Sequence, residues 1–263
     1  MSKPFDHIAT TYDSIFTNGA IGQLQRKQVW NYIEEIIPEL TGLDILELNC
    51  GTGEDALLFS EKGFNIVATD VSTEMLKVTQ QKVKQFSMQH RISSHYLDLE
   101  SFDESAFDKK FDLVFSNFGG LNCISPESLK ILLEKIPSIL SSGGRFIAVI
   151  MPRFCLWESA YFLLKFRFNN IFRRWTDKEV SADLHGTHMK IWYYNPVQLK
   201  ACKHFKTIII LPIGIALPPS YLEDFFTKRN TLLNFLNTLE GALNRFSFFS
   251  SMADHYIIDL KLK

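Results

Sequence analysis

The sequence predicts an α/β fold built on a doubly wound, mostly parallel sheet. Three observations carry that prediction. Short apolar runs alternate with amphipathic helical stretches between residues 44 and 151, the pattern of parallel strands joined by crossover helices. A glycine turn, Cys50-Gly-Thr-Gly53, stands between the first apolar run and the helical stretch after it. Ligand-binding turns of open sheets lie at that place. Acidic residues, Asp70 and Asp98, end the next two runs.

The elements follow in order. Residues 5–37 read as helical, with Ile21, Leu24, Val29, Ile33 and Ile36 at helical spacing, and Pro38 and Gly42 end them. Asp44 to Asn49 is the first strand, residues 54–62 the next helix, and Asn65 to Asp70 the second strand. Ser72 caps a helix that runs to about Phe86. Ile92 to Leu97 and Phe111 to Ser116 are the third and fourth strands. Ser125-Pro126 opens a helix with proline in its first turn. Ser141 to Gly144 turns into a fifth strand, Arg145 to Met151. The rhythm then breaks. Residues 152–195 are aromatic and partly helical, and Pro196 starts a short helix. Thr207 to Leu211 is a strand, about 219–246 is helical, and His255 to Lys261 closes the chain with a period of two. One domain over residues 1–263 accounts for this order. It has an N-terminal helical extension (1–40) and two lid insertions (152–195 and 214–253).

Composition narrows the function. The 28 basic and 29 acidic residues leave a formal charge of −1, whereas a broad duplex-binding surface is usually basic. No nucleic-acid partner is therefore expected. Cysteines 50, 123, 155 and 202 form no CxxC pair and show no zinc spacing, which points to a reducing compartment and no metal. The start, MSKPFDHIATTYD, lacks the apolar core of a secretory signal. The longest uncharged stretch, Thr207 to Leu222, holds three prolines, which argues against a spanning helix. A cytoplasmic protein without stable membrane insertion is expected.

The chemistry centres on the glycine turn. Gly51-x-Gly53-x-x-Ala56 is compatible with a dinucleotide cradle, so an NAD-type oxidoreductase is one reading. Three features favour a sulfonium cofactor instead. Glu47 sits in the strand ahead of the glycines, where a dinucleotide strand is usually apolar. Asp70 and Asp98 end the following strands, so three acids converge on one crevice. Negative charge there suits a cation and repels a pyrophosphate.

On these residues the chain resembles the class I S-adenosylmethionine-dependent methyltransferases, small-molecule branch. The resemblance rests on Asp44-Ile-Leu-Glu-Leu-Asn-Cys-Gly-Thr-Gly53, Ala68-Thr-Asp70-Val-Ser-Thr-Glu-Met75, Phe111-Asp-Leu-Val-Phe-Ser-Asn117, Gly143-Gly-Arg-Phe-Ile-Ala-Val149 and the N-terminal Phe5 to Asp13 segment. It covers about residues 5–151 and the two final strands. It implies a seven-stranded Rossmann-like sheet with its last strand antiparallel, and S-adenosyl-L-methionine as cofactor. It also implies roles by position. Gly51 and Gly53 border the methionine part, with Glu47 near the ammonium. Asp70 takes the ribose hydroxyls, and Val71 and Met75 pack on the adenine. Asp98 and Leu99 flank the adenine edge, Asn117 and Phe118 floor the methyl end, and Tyr12 closes over the cofactor. Asn49 stands where most members have their first glycine; asparagine tolerates a left-handed backbone, so the turn is expected to survive.

The acceptor side is read from residues alone. His185 and His188 lie in the first insertion, and either has a suitable pKa for a base or acceptor ligand. Surface positions account for them equally, and alignment alone can carry methyl transfer. Residues 154–175 place Trp157, Tyr161, Leu164, Phe168, Phe172 and Trp175 at helical spacing among Lys165, Arg167, Arg173 and Arg174. That face fits packing on the core or a homodimer partner, a pocket wall, or a membrane surface. The expected activity is methyl transfer to a small apolar or aromatic acceptor, at oxygen. A non-catalytic binding protein on the same fold is the other alternative.

Overall fold

The computed structural model describes residues 3–39, 44–184 and 186–263. A 3-10 helix (Pro4–Ile8) and a π-turn (Asp13–Thr17) lead into α1 (Ala20–Ile36). The chain continues through β1 (Asp44–Leu48), α2 (Glu54–Glu61), β2 (Asn65–Asp70), α3 (Thr73–Gln85), β3 (Ile92–Tyr96), β4 (Phe111–Ser116), α4 (Pro126–Ile139) and β5 (Leu140–Ile150). It ends with α5 (Leu156–Leu164), β6 (Val180–Leu184), β7 (Thr187–Ile191), α6 (Pro196–Lys200), β8 (Phe205–Ile213), α7 (Glu223–Thr227), α8 (Asn230–Leu243) and β9 (His255–Leu262).

Seven strands form one sheet in the order β3-β2-β1-β4-β5-β9-β8. β1 pairs in parallel with β2 (Glu47 opposite Ala68) and with β4 (Leu48 opposite Ser116). β9 runs antiparallel between β5 and β8. This is the doubly wound, mostly parallel sheet expected from the sequence, and it has the Rossmann-like methyltransferase order. The alternation of side chains explains the two helical layers. Leu46, Leu48, Val114, Phe146 and Ala148 pack beneath Leu129, Leu132 and Ile136 of α4. Ile45, Leu113, Phe115, Ile147 and Val149 face Val29, Ile33 and Ile36 of α1 and Phe59 of α2. Strands covered on both faces read as mostly apolar runs, which made β1, β4 and the Phe146–Ile150 part of β5 visible in the sequence.

The insertions depart from the expectation. The 154–175 stretch is not one helix. α5 stops at Leu164, where Phe166 adopts a left-handed backbone (φ 55°). Hydrogen bonds from Phe166 N–H to Leu163 O and from Arg167 N–H to Phe162 O close that end. Arg173 and Arg174 turn inward onto buried Glu158, and Arg174 also reaches Asp254. Their charges therefore serve an internal network and not a helix surface. Residues 180–191 form a β-hairpin, β6 with β7, that helical spacing did not foretell. The 219–246 stretch divides into α7 and α8. Glu240 of α8 is buried, and its carboxylate accepts backbone N–H bonds from Gly214, Ala216 and Leu217 at 2.7–2.9 Å. It thereby staples the start of the second insertion, which packs through Leu217, Phe226 and Leu233 onto Ile21 of α1. The N-terminal stretch read as continuous helix is broken at Gly19 into the two short turns and α1.

Candidate active site

The C-terminal ends of β1, β2 and β4 open into a cavity of about 500 Å3. It lies at the topological switch point of the sheet, between β1 and β4, where open parallel sheets bind ligands. The turn after β1 borders it through Asn49, Cys50, Gly51 and Thr52. Asn49, Gly51 and Gly53 take left-handed backbones, with φ of 49°, 55° and 80°. A Cβ on Gly53 would stand 2.7 Å from the Thr79 side chain, so α2 approaches α3 only through glycine there. At Gly51 the same direction is open. Three bonds lock the turn. Cys50 N–H donates to Thr69 O at 2.8 Å, Thr79 Oγ1 donates to Gly51 O at 2.9 Å, and Gly51 N–H donates to Asp70 Oδ2 at 2.9 Å.

Asp70 also accepts the Ser72 N–H on its other oxygen at 2.8 Å. One carboxylate thus joins the turn after β1 to the start of α3. Burial raises the Asp70 pKa above its ordinary value, and the N–H groups of Ser72, Gly51 and Val71 oppose that rise. Asn49 uses its side chain as well as its backbone. Ser116 Oγ donates to its carbonyl at 2.7 Å, and its amide donates to Asn117 O at 3.1 Å. The carboxamide occupies the space beside Gly120. The expectation that the turn survives without its first glycine is met.

The N-terminal residues strap one side of the cavity. Ser72 Oγ donates to Asp6 at 2.6 Å, and Thr52 Oγ1 donates to Asp13 at 2.6 Å. Phe5, Tyr12 and Phe16 gather against buried Met75. Burial pushes the Tyr12 hydroxyl up to about 12. Lys3 Nζ meets Asp98 Oδ2 at 2.9 Å, so the acid just past β3 carries an internal partner.

A charged pair forms the wall nearest α1. Arg26 and Asp55 approach to 2.5 Å. Asp55 further accepts Trp30 Nε1 at 2.7 Å and Asn117 Nδ2 at 2.9 Å. Burial disfavours the guanidinium charge, but Asp55 prevails and raises the Arg26 pKa. Arg26 lies over the Phe118 ring at 5.3 Å, and the ring of His255 meets Phe118 edge-on at 5.5 Å. The remaining wall comes from Gly119, Cys123 and Ile124 and, in the hairpin and just past it, from His188, Met189, Lys190 and Trp192. Asn122 holds that strand end in place by accepting the Met151 N–H and donating to Trp192 O. Burial pushes the Cys123 thiol up to about 12, so it is no thiolate nucleophile at neutral pH.

Of the residues singled out from the sequence, Tyr12, Asn49, Gly51, Asp70, Val71, Met75, Asp98, Leu99, Asn117 and Phe118 line this one cavity. Gly53 and Glu47 lie off its wall. Glu47 is buried beneath the turn, and among the described residues its Oε2 has no hydrogen-bond partner. Burial first, and then the charges of Asp55 and Asp70, raise its pKa well above the ordinary range. His188 reaches the cavity from an exposed position, with Ser181 Oγ 3.5 Å from its Nδ1. His185 lies outside the described residues. The second insertion, 214–253, contributes nothing to the lining. Sequence reasoning missed Arg26, Asp55 and Lys3. Arg26 carried only a weak signal: it follows buried Gln25 on α1, but Lys27 stands beside it, so the sequence alone does not tell which cation turns toward the sheet.

The arrangement disfavours a pyrophosphate. An anion site at a helix N-terminus needs free N–H groups. Here α2 begins with Glu54 and Asp55, and buried Glu47 stands in the strand just before the turn, so acids surround the place an anion would take. Among the described residues no group of three His, Cys, Asp or Glu side chains is placed to hold a metal ion.

This sheet, with a glycine turn at its switch point and acids at the neighbouring strand ends, is the fold of the class I S-adenosylmethionine-dependent methyltransferases. Residues 45–144 match the family described as a methyltransferase domain, Methyltransf_25. The resemblance read from the sequence is thereby borne out. YqeM of Bacillus subtilis is 32% identical over 124 residues, 47% of this chain and 45% of its own length. A demethylmenaquinone methyltransferase of Clavibacter sepedonicus is 27% identical over 148 residues, 56% of each chain. The chain thus spans about half the length of these curated relatives. Among solved structures, the magnesium protoporphyrin IX methyltransferase ChlM of Synechocystis, with bound S-adenosylhomocysteine, superposes with a TM-score of 0.57 at 13% identity. The superposition covers 92% of this chain and 85% of that one.

Proposed function

We propose that the cavity binds S-adenosyl-L-methionine and that the protein transfers its methyl group to a small apolar or aromatic acceptor, at oxygen. The single observation that carries this reading is the convergence of Asp70, Asp98 and the open Gly51 turn on one cavity, within a segment that matches a methyltransferase domain. The names of relatives such as the demethylmenaquinone methyltransferases support a small-molecule acceptor.

The residues present fit that cofactor. Gly51 leaves open space, Asp70 offers carboxylate oxygens to hydroxyl donors, and Val71, Met75 and Leu99 offer apolar surface. Among the described residues nothing hydrogen-bonds to one buried oxygen of Glu47 behind the turn. When bound, the cofactor supplies an electrophilic methyl on a sulfonium. The chain's part is to hold, orient and dry the site. Asp70 and the turn fix one end. The Arg26–Asp55 pair fixes Asn117 and stacks on Phe118, which keeps the floor in one geometry. Trp192, Met189 and Ile124 give the acceptor side an apolar surface. Alignment in such a setting removes much of the entropic barrier.

Calorimetric titration with S-adenosylmethionine and S-adenosylhomocysteine, with NADH as control, tests the reading. Micromolar binding of both sulfur compounds, lost in Asp70→Ala, is expected. Binding of NADH alone overturns it and returns the chain to the oxidoreductase reading. Cofactor binding without methyl transfer to any of a panel of phenols and quinols would make the chain a binding protein instead.

A further inference from the structure

Among the described residues, the two most exposed large apolar side chains lie at the end of α5 and not in the cavity wall. Leu164, Phe166 and Phe168 are 78%, 79% and 59% exposed, and Leu163, Phe172 and Trp175 are also exposed. Phe166 sits where a helix normally ends on glycine, in the left-handed region at φ 55°. The backbone thus bears strain in order to hold a phenyl ring in water. Lys165 and Arg167 alternate with these side chains and are exposed themselves. From Ser159 to Thr176 the sequence contains no acidic residue, although the whole chain carries a formal charge of −1.

The tip is firmly mounted. Glu158, at the root of α5, is buried and takes two bonds from Arg173 (2.7 and 2.9 Å) and one from Arg174 (3.0 Å). Arg174 continues to Asp254 at 2.9 Å, at the edge of β9. A buried charge network therefore fixes both ends of the 159–173 excursion to the sheet. Trp175 then leads within a few residues into the β6–β7 hairpin that lines the cavity.

We propose that this tip docks the protein on a lipid surface bearing anionic headgroups. Leucine and aromatic side chains at the end of a rigid mount suit the headgroup–acyl boundary. Interleaved cations without acids suit an anionic leaflet, where each is worth about five-fold in binding. The charge pattern separates this occupant from a second copy of the chain, whose own tip would present the same cations to these.

The test is co-sedimentation of the full chain with vesicles of phosphatidylcholine, with and without phosphatidylglycerol. Binding to the anionic vesicles that weakens with salt is expected. Leu164→Ser/Phe166→Ser/Phe168→Ser and Lys165→Glu/Arg167→Glu should each lose about ten-fold or more in vesicle affinity, while Phe86→Ser, an exposed phenylalanine on the far end of α3, stays as wild type. Cofactor affinity and melting temperature should be unchanged in all three. Absence of vesicle binding, equal binding by the tip variants, or self-association in solution that the serine variant abolishes would each overturn the proposal.

Discussion

Asn49 and Gly120 are a complementary pair: a Cβ on Gly120 would lie 2.0 Å from the Asn49 carboxamide carbon. The asparagine replaces a turn glycine, and the glycine after β4 leaves it room. Asn49 cannot simply swing away, because Ser116 and Asn117 hold its side chain. Gly120→Ala should therefore destabilise the protein by about 1–3 kcal/mol in urea unfolding, the usual cost of overpacking. Asn49→Gly alone loses the two hydrogen bonds. In the double variant the cost of Gly120→Ala should largely vanish, and a coupling energy near zero would show that the two residues do not share this space.

Asp70 makes cofactor binding pH-dependent with a definite sign. Burial raises its pKa in the free protein, so its protonated form gains population as the pH falls toward that raised value. Hydroxyl donors of a ligand stabilise the carboxylate and lower the pKa again. Binding therefore releases protons in the window between the two values, and affinity falls as the pH drops through it. The nearby carboxylate of Asp6 pushes in the same direction as burial. Titration of S-adenosylhomocysteine in buffers of different ionisation enthalpy measures the proton count. Asp70→Asn should lower affinity about ten-fold or more and flatten the pH dependence. A slope that survives the substitution would move the titration to Glu47.

The sheet was legible in the sequence because its strands are buried on both faces and bounded by turn residues. Asp44–Leu48 and Phe111–Ser116 announce themselves as short, mostly apolar runs interrupted by single acids, Glu47 and Asp112. The acids at strand ends were legible for a related reason: a carboxylate that closes an apolar run marks the point where the chain leaves the core for the crevice above the sheet. The β6–β7 hairpin was not legible. Its strands are five residues each, and although Val180-Ser-Ala-Asp-Leu184 alternates apolar with polar residues, so short a run beside the aromatic stretch before it does not stand out as a strand. The end of α5 was hidden by Phe166, a residue that signals helix continuation by its apolar position and yet takes a glycine's conformation. Arg26–Asp55 and Lys3–Asp98 join residues far apart in sequence, and no local pattern announces such pairs.

His188 is the one sequence-derived base candidate that reaches the cavity in the described structure. Among the described residues no carboxylate hydrogen-bonds to it, although Asp183 stands opposite it in the hairpin, and it is exposed. We expect it to contact the acceptor without removing a proton. His188→Ala should raise the acceptor KM and leave kcat within about ten-fold, against the roughly 10²–10⁴-fold that a general base contributes. A larger fall in kcat, with loss of the acidic limb of its pH profile, would make it the base.

Tyr12 is expected to act through its ring. Its hydroxyl, pushed up to about 12, stays protonated at any working pH, so no phenolate takes part. The ring packs between Phe5 (6.4 Å) and Phe16 (5.0 Å). Tyr12→Phe should leave the pH profile of transfer unchanged below pH ~10. Tyr12→Ala removes the strap's central ring and should weaken S-adenosylhomocysteine binding about ten-fold, roughly 1.4 kcal/mol of lost apolar contact. Equal loss in both variants would assign the effect to the hydroxyl.

The Arg174–Asp254 pair sets the acid limit of stability. Burial opposes the Asp254 charge, but His255 and Arg174 prevail and hold its pKa well below the usual carboxylate range. A depressed folded-state pKa contributes stability above the unfolded value, and that contribution is lost as the pH falls through the folded one. Wild type should therefore exceed Asp254→Asn by a constant margin at neutral pH, and the margin should shrink below pH ~4, where the unfolded carboxyl begins to protonate. Arg174→Met leaves Asp254 and Glu158 buried with one cation fewer, so it should cost about 3–5 kcal/mol at pH 7. Because the same network mounts the α5 tip, Arg174→Met should also raise hydrogen exchange across 165–173 while leaving β1 and β4 protected. Uniform exchange throughout the sheet would show instead that the pair stabilises the whole domain and not the mount alone.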